Sequence, residues 1–131
     1  LGMCLNDHRV IRFDERKFEP EDALKIHQQS VKWLEDKFAD DFKGKTVVVT
    51  HHGPSLHCAH LDYGLDHISA GFLSDLDRLV EMSDVWCFGH THSSLDIKIG
   101  KCRLVSNQKG YPRERLPIPF REDLVIEIKG E

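Results

Sequence analysis

The chain has 131 residues, of which 40% are hydrophobic and 31% charged, a balance typical of a soluble globular domain with its own core. Its 18 basic and 22 acidic residues give a net charge of -4, which disfavours nonspecific nucleic-acid binding as the function. No apolar stretch approaches the roughly 20 residues of a membrane-spanning helix, and there is no signal-peptide pattern. The four scattered cysteines form no C-x-x-C pair, which favours reduced thiols and a cytoplasmic location.

The first half of the chain predicts one helix and one buried strand. A short strand is expected at Val10–Phe13. After Pro20, which suits a first helical turn, apolar positions recur at steps of three and four and predict an amphipathic helix at about 20–39. The segment Thr46–Thr50 does not alternate between polar and apolar residues, so we expect a strand that is buried on both faces.

The second half predicts a loop from His51 to about Asp66, a second amphipathic helix from Ile68 to about Met82, and several strands. The expected strands are Val85–Phe88, a hairpin of Leu95–Ile99 and Cys102–Ser106 around Gly100-Lys101, and a last strand over Leu124–Ile128. This order predicts an α/β fold, with helices on one face of a sheet that ends in antiparallel strands.

Histidines follow two of the predicted strands at the point where each strand ends. Thr46–Thr50 runs into His51-His52-Gly53, and Val85–Phe88 runs into Gly89-His90-Thr91-His92. In open α/β sheets, ligands gather beyond the carboxyl ends of the strands, and neighbouring strands lie about 4.8 Å apart. Imidazole is the commonest protein ligand for transition metals. A single histidine after a strand is usually an ordinary loop residue, but the repeated pattern predicts a metal site at this sheet edge.

These two segments, VVVTHHGPS (47–55) and CFGHTH (87–92), resemble the C-terminal half of the calcineurin-like metallophosphoesterases over about residues 46–112. The resemblance implies a two-metal phosphoesterase with an α-β-β-α sandwich, of which residues 1–131 are the C-terminal portion of a single domain. It implies that His51 and His90 ligate one metal ion and that His92 ligates the other. His51 is preferred to His52 as a ligand because it directly follows the strand, and His52 is expected to point away from the metal. His90 and His92, two positions apart on an extended segment, are expected to share a face. The segment Asn107–Tyr111 lies where related proteins carry a loop near the site.

The remaining ligand motifs of that family are absent. No Asp is followed two positions later by His, and no Gly is followed by Asp or Asn, so the D-x-H, G-D-x-x-D and G-N-H-[DE] motifs are missing. Histidine supplies only neutral ligands, and two divalent ions close together repel each other strongly without carboxylates. We therefore expect this chain to hold an incomplete site, whose metal is Mn, Fe, Zn or Ni.

Weaker candidates lie nearby in the sequence. His52 and His60 are candidates for substrate binding, and Lys109 is a candidate for contact with a phosphate, although solvent-exposed side chains are the commoner role for each. The expected partner is a phosphate-ester substrate. A sandwich lacking its other half would also leave an apolar sheet face uncovered, which predicts self-association.

Two functions remain open from the sequence. The first is a metal-dependent phosphoesterase that hydrolyses phosphate mono- or diesters and is inactive as residues 1–131 alone. The alternative is a non-catalytic metal-binding or assembly module. The presence of the missing carboxylate motifs upstream of Leu1 in the gene would separate the two.

Overall fold

The computed structural model of the chain describes residues 5–128, which divide into two compact units, one ending at Phe42 and one beginning at Lys43. Helices and a mixed sheet are both present, so the chain belongs to the general α/β class. Among the described residues, no helix combines the length and the apolar character needed to cross a membrane.

The first unit contains two helices and a small ribbon. In chain order these elements are α1 (Asp7–Val10), β1 (Arg12–Phe13), β2 (Arg16–Lys17) and α2 (Pro20–Ala39), with β1 and β2 antiparallel. The prediction of a helix at about 20–39 is confirmed. The predicted strand over Val10–Phe13 is correct only in its second half, because Val10 ends a helical turn.

Local signals explain where α2 begins. Pro20 occupies the first turn, where its missing N–H costs nothing. Asp22 accepts the Glu19 backbone N–H at 2.9 Å, which is one half of a capping box with Glu19. Asp22 is also paired with Arg16. The apolar side chains of α2 are less buried than their spacing predicts: Leu24 is 53% exposed and Trp33 is 60% exposed.

The second unit is built on a four-stranded mixed sheet. Its strands are β3 (Val47–Val49), β4 (Val85–Cys87), β5 (Leu95–Ile99) and β6 (Cys102–Ser106), in the spatial order β3-β4-β6-β5. The first three strands in that order run parallel to one another, and β5 pairs antiparallel with β6. The predicted hairpin of β5 and β6 is therefore confirmed.

The strand β3 is buried on one face only, so the prediction that both faces are buried is wrong. Val48 is buried, whereas Val47 is 46% exposed and Val49 is 74% exposed. The reason is that β3 is an edge strand of the sheet, and no described segment of the second unit covers the face that carries these two valines.

The long second helix predicted from Ile68 to Met82 does not form. Two short helices replace it: a 3₁₀ turn at Ser69–Gly71 and α3 (Asp77–Val80). Between them, Gly53 donates its N–H to Phe72 O at 3.1 Å and accepts the Ser74 N–H at 3.0 Å. These bonds hold the segment extended beside Gly53. The segment therefore does not form a helix, although its apolar residues have helical spacing.

The predicted strand over Leu124–Ile128 is also wrong, because these residues are irregular in the structure. The connection that precedes them is fixed instead by Asn107, whose side chain donates to Arg121 O at 2.6 Å and accepts the Arg121 N–H at 3.0 Å. The core of the second unit lies around Trp86, Leu79 and Leu104, all of which are fully buried.

Candidate metal centre

The sheet brings the two histidine segments to the same edge. Because β3 and β4 are parallel, with Val49 opposite Cys87, their carboxyl ends lie side by side. The pairing continues past both strands: Thr50 donates its N–H to Cys87 O, and Gly89 donates its N–H to His51 O, each at 3.0 Å. The backbone ladder thus fixes the spacing between the segment after β3 and the segment after β4.

Three histidines converge at this edge. Nε2 of His51 lies 3.0 Å from Nδ1 of His90, and their ring centroids are 4.9 Å apart. One ring nitrogen from each of His51, His52 and His90 can be chosen so that all three lie within 4.8 Å of one another. All three side chains are exposed, so a metal ion from solvent can reach them. We refer to these three residues as the histidine cluster.

The histidine cluster differs in one member from the ligand set expected from the sequence. Of His51, His90 and His92, the structure brings the first two together and places His92 outside the cluster. His52, which we expected to point away from the metal, lies in the cluster with its ring centroid 4.8 Å from that of His90.

The separation between His51 and His90 suits a pair of nitrogens that share one metal ion. Two imidazole nitrogens that bind one zinc ion at about 2.0–2.1 Å with a tetrahedral angle are separated by roughly 3.3 Å. The observed 3.0 Å between His51 and His90 is close to that separation. The same two nitrogens form a hydrogen bond only if one carries a proton and the other does not, so the contact serves either a shared proton or a shared ion.

The loop after β4 holds its histidines in an uncommon backbone conformation. His90 has φ of 68° and His92 has φ of 54°, both in the left-handed region that few non-glycine residues adopt. Such residues cost about 1–3 kcal/mol each and persist only where their surroundings fix them. The ring of Phe72 lies against His90, with 5.1 Å between centroids.

Gln108, which the sequence did not single out, holds this loop through side-chain hydrogen bonds. Its buried side chain accepts the His92 N–H at 2.6 Å and donates to Thr91 Oγ1 at 2.8 Å and to Ser93 O at 2.9 Å. The available signal was the segment Asn107–Tyr111, which the family resemblance had placed near the site. No property of a lone glutamine in a sequence predicts that it braces a loop.

His92 pairs with Glu114, another residue that the sequence did not identify. Nδ1 of His92 lies 2.9 Å from Oε2 and 3.1 Å from Oε1 of the carboxylate. Oε2 also accepts the Tyr111 N–H at 2.7 Å. The pKa of Glu114 is lowered from its ordinary value, chiefly by the backbone N–H of Tyr111 and next by His92, so the carboxylate stays charged at neutral pH.

The weaker sequence candidates have other surroundings. His60 accepts the Asp62 N–H through Nδ1 at 3.1 Å, and its ring lies 4.4 Å from that of Tyr63. Lys109 is exposed, with its ammonium 5.7 Å from the centroid of the Phe120 ring. Substrate contact by either remains a prediction.

Cys58, close to the cluster in sequence, is a buried free thiol. Burial raises its pKa to about 12, so it stays protonated at neutral pH and is a poor nucleophile. Cys87 and Cys102 are also free thiols, and Cys4 lies outside the described residues. The chemistry available at this edge of the sheet is therefore that of imidazole and carboxylate.

Comparison with known proteins identifies no relative: no protein-family model, no characterised protein and no solved structure matches the chain. Any link to the metallophosphoesterases therefore depends on the two histidine segments and on the residues around them. That link is treated below as a proposal.

Proposed function

We propose that this chain is part of a metal-dependent phosphoesterase that hydrolyses a phosphate mono- or diester. In this proposal, residues 1–131 form the C-terminal half of a metallophosphoesterase-like α-β-β-α sandwich. The observation that carries the proposal is the 3.0 Å separation of His51 Nε2 and His90 Nδ1 beyond the ends of two paired parallel strands. Two segments 39 positions apart meet there with their metal-binding atoms facing each other.

The histidines at this sheet edge would have two roles. The histidine cluster would hold one divalent ion, and His92 would serve a second. When bound, such ions neutralise charge on the phosphoryl oxygens and lower the pKa of the water that attacks phosphorus. The protein contributes fixed ligand positions at a sheet edge and, through Gln108 and Glu114, a braced backbone and ring at His92.

The charge of the cluster limits what this chain does alone. Its three imidazoles are neutral ligands, so they do not offset the repulsion between two divalent ions. The carboxylate motifs that supply this charge in the resembled family are missing from the sequence. We therefore propose that another part of the native protein supplies them and that residues 1–131 alone lack turnover.

The all-histidine composition of the cluster also favours a second candidate, a non-catalytic metal-binding or assembly module. Within residues 5–128, the group of three or more side chains able to hold a metal contains histidines only. Structural metal sites are complete with neutral or thiolate ligands and need no activated water. Both candidates bind metal, so turnover decides between them.

The deciding experiment compares the natural full-length parent with residues 1–131. Both are assayed with aryl phosphate mono- and diesters in the presence of Mn²⁺, with and without EDTA. We expect EDTA-sensitive turnover by the parent and none by residues 1–131. Loss of a metal-activated nucleophile costs many powers of ten in rate, since each 1.36 kcal/mol of barrier corresponds to about tenfold.

Two variants of the parent complete the test. His92→Ala should abolish turnover, and His57→Ala, which removes an exposed histidine from the neighbouring loop, should not. Robust turnover by residues 1–131 alone would show that the site is complete within them. A parent that is inactive with several metals and both ester types, yet binds metal, would favour the non-catalytic module.

A further inference from the structure

The contact between His92 and Glu114 determines which ring nitrogen of His92 carries the proton. Nδ1 of His92 faces both oxygens of the Glu114 carboxylate, at 2.9 and 3.1 Å. An ionised carboxylate only accepts hydrogen bonds, so Nδ1 must carry the proton. In a neutral imidazole with its proton on Nδ1, the lone pair is on Nε2.

Both partners of this contact are held in place by other bonds. The backbone of His92 is anchored by its N–H bond to Gln108 Oε1 at 2.6 Å. The carboxylate is anchored by the Tyr111 N–H at 2.7 Å, and the Tyr111 ring lies edge-on to the His92 ring at 4.7 Å. The His92 ring therefore has little freedom to turn away from the carboxylate.

Gly110 shows how closely the chain wraps Glu114. Its φ of 66° lies in the left-handed region, and a Cβ built there would be 2.7 Å from Glu114 Oε2. The absence of a side chain at this position lets the backbone turn around the carboxylate. The bond to Tyr111 and the turn at Gly110 thus direct the carboxylate at His92.

We propose that Glu114 is a positioning residue, which holds His92 in the Nδ1–H tautomer and so reserves the Nε2 lone pair for a metal ion. Metal-ligating histidines commonly donate their second N–H to a carboxylate, which orients the ring and raises its basicity. The ligand role of His92 rests on the function proposed above. The tautomer does not, because it follows from contacts within residues 92–114.

The experiment reads the tautomer directly by NMR. Residues 1–131 are prepared with ¹⁵N label and freed of metal, and the two ring nitrogens of each histidine are observed through their long-range couplings at pH 8. A His92→Asn variant assigns the His92 signals by their disappearance. We expect a protonated Nδ1 and an unprotonated Nε2 in the wild-type protein. A protonated Nε2, or a ring protonated on both nitrogens at pH 8, would overturn the proposal.

A matched pair of variants tests the role of Glu114. The amide in Glu114→Gln keeps the size of the side chain but can donate as well as accept, so we expect a mixture of both tautomers at His92. Glu122→Gln removes an exposed carboxylate further along the chain and should leave the tautomer unchanged. An unchanged tautomer in a folded Glu114→Gln protein would overturn the positioning role.

Addition of Zn²⁺ to a His51→Ala/His90→Ala variant, in which no ion at the histidine cluster repels an ion at His92, tests the ligand role. We expect the Nε2 signal of His92 to move at millimolar Zn²⁺ while Nδ1 keeps its proton. An unmoved Nε2 signal would overturn the ligand role and leave the tautomer result standing. Neither measurement uses turnover, so failure of the phosphoesterase proposal in the activity assay is distinguishable from failure of this one.

Discussion

Nε2 of His51 and Nδ1 of His90 lie 3.0 Å apart although the two residues are separated by 39 positions in the chain. Their proximity is a property of the sheet, because each residue follows a strand and the two strands pair in parallel register. A change that shifts the register of β3 against β4 would separate the two nitrogens. The metal-binding capacity of this edge is therefore tied to the integrity of the sheet.

Removal of either histidine should abolish tight metal binding. We expect His51→Ala and His90→Ala to weaken Zn²⁺ binding by more than the roughly 10–100-fold typical of losing a residue that only orients a ligand. Isothermal titration calorimetry of residues 1–131 measures this directly. Protons compete with metal for imidazole, so binding should also weaken as the solution is made acidic.

A second pair of variants identifies the third ligand of this ion. The geometry predicts that His52→Ala weakens binding about as much as His51→Ala, and that His92→Ala changes it little. The ligand set expected from the sequence predicts instead that His52→Ala changes binding little, because it assigns only His51 and His90 to this ion. A small loss in His52→Ala would restore that assignment, and a large loss in His92→Ala would contradict the geometric one.

The histidine cluster contains His52 and not His92, and this difference shows what the sequence could and could not predict. The convergence of His51 and His90 was predictable, because parallel strands end at one edge. The prediction that His90 and His92 share a face assumed an extended backbone, in which side chains alternate. Both residues instead have positive φ, and the bonds from Gln108 to residues 91–93 that hold this loop come from a side chain 16 positions after His92.

The same distinction applies to the fold. The boundaries of α2 were predictable because Pro20 and the capping residues act locally. The break in the predicted second helix was not, because it depends on Gly53 pairing with the segment around Leu73. The irregular path of Leu124–Ile128 likewise has no signal in its alternating pattern, which by itself is typical of a strand.

Gly53 should be the glycine of this site that cannot be replaced. A Cβ at this position would lie 2.6 Å from Cys58 Cβ and 2.7 Å from Leu73 Cδ2, so the backbone pairing with Leu73 would have to open. We expect Gly53→Ala to lower the free energy of unfolding by about 1–3 kcal/mol, the usual cost of overpacking. Urea unfolding monitored by Trp fluorescence measures the change.

Gly89 provides the matched control. A Cβ there would lie 3.7 Å from His51 O, an ordinary contact distance, so Gly89→Ala should leave the free energy of unfolding nearly unchanged. Equal losses in the two variants would show that the close approach at Gly53 is not what makes it necessary.

Asp84 should make the protein less stable at acid pH. Its carboxylate accepts the Thr46 N–H at 2.8 Å at the start of β3, and Lys101 and Lys45 lie 4.0 and 3.6 Å from it. The pKa of Asp84 is lowered, first by the Thr46 N–H and then by the two lysines. Its stabilising contribution is therefore fully present above the unfolded pKa of about 3.9 and is lost as the pH falls through the lower folded value.

Asp84→Asn should therefore destabilise the protein by roughly 1–2 kcal/mol at pH 7, the scale of one hydrogen bond to a charged group. The variant should also lose less stability than the wild type as the pH falls below about 4. Urea unfolding from pH 7 to pH 2.5 tests both expectations, with the exposed Asp75→Asn as control. Parallel stability curves for wild type and Asp84→Asn would contradict the assignment.

The exposed face of β3 should mediate self-association of the chain. Val49 is 74% exposed and Val47 is 46% exposed on an edge strand, which is an unusual surface for a stable monomer. A second copy of the chain can cover this face with its own β3, so we expect sedimentation velocity to show a concentration-dependent increase in the sedimentation coefficient. A clean monomer at high concentration would contradict this.

A lysine on that face should oppose the association. Burial of one valine is worth at least about 1.5 kcal/mol, so Val49→Lys should raise the dissociation constant about tenfold or more. Val125→Lys is the matched control, because Val125 is 79% exposed but belongs to no strand. If both substitutions weaken association equally, the added charge and not the β3 face is responsible, since only Val49 belongs to the proposed interface.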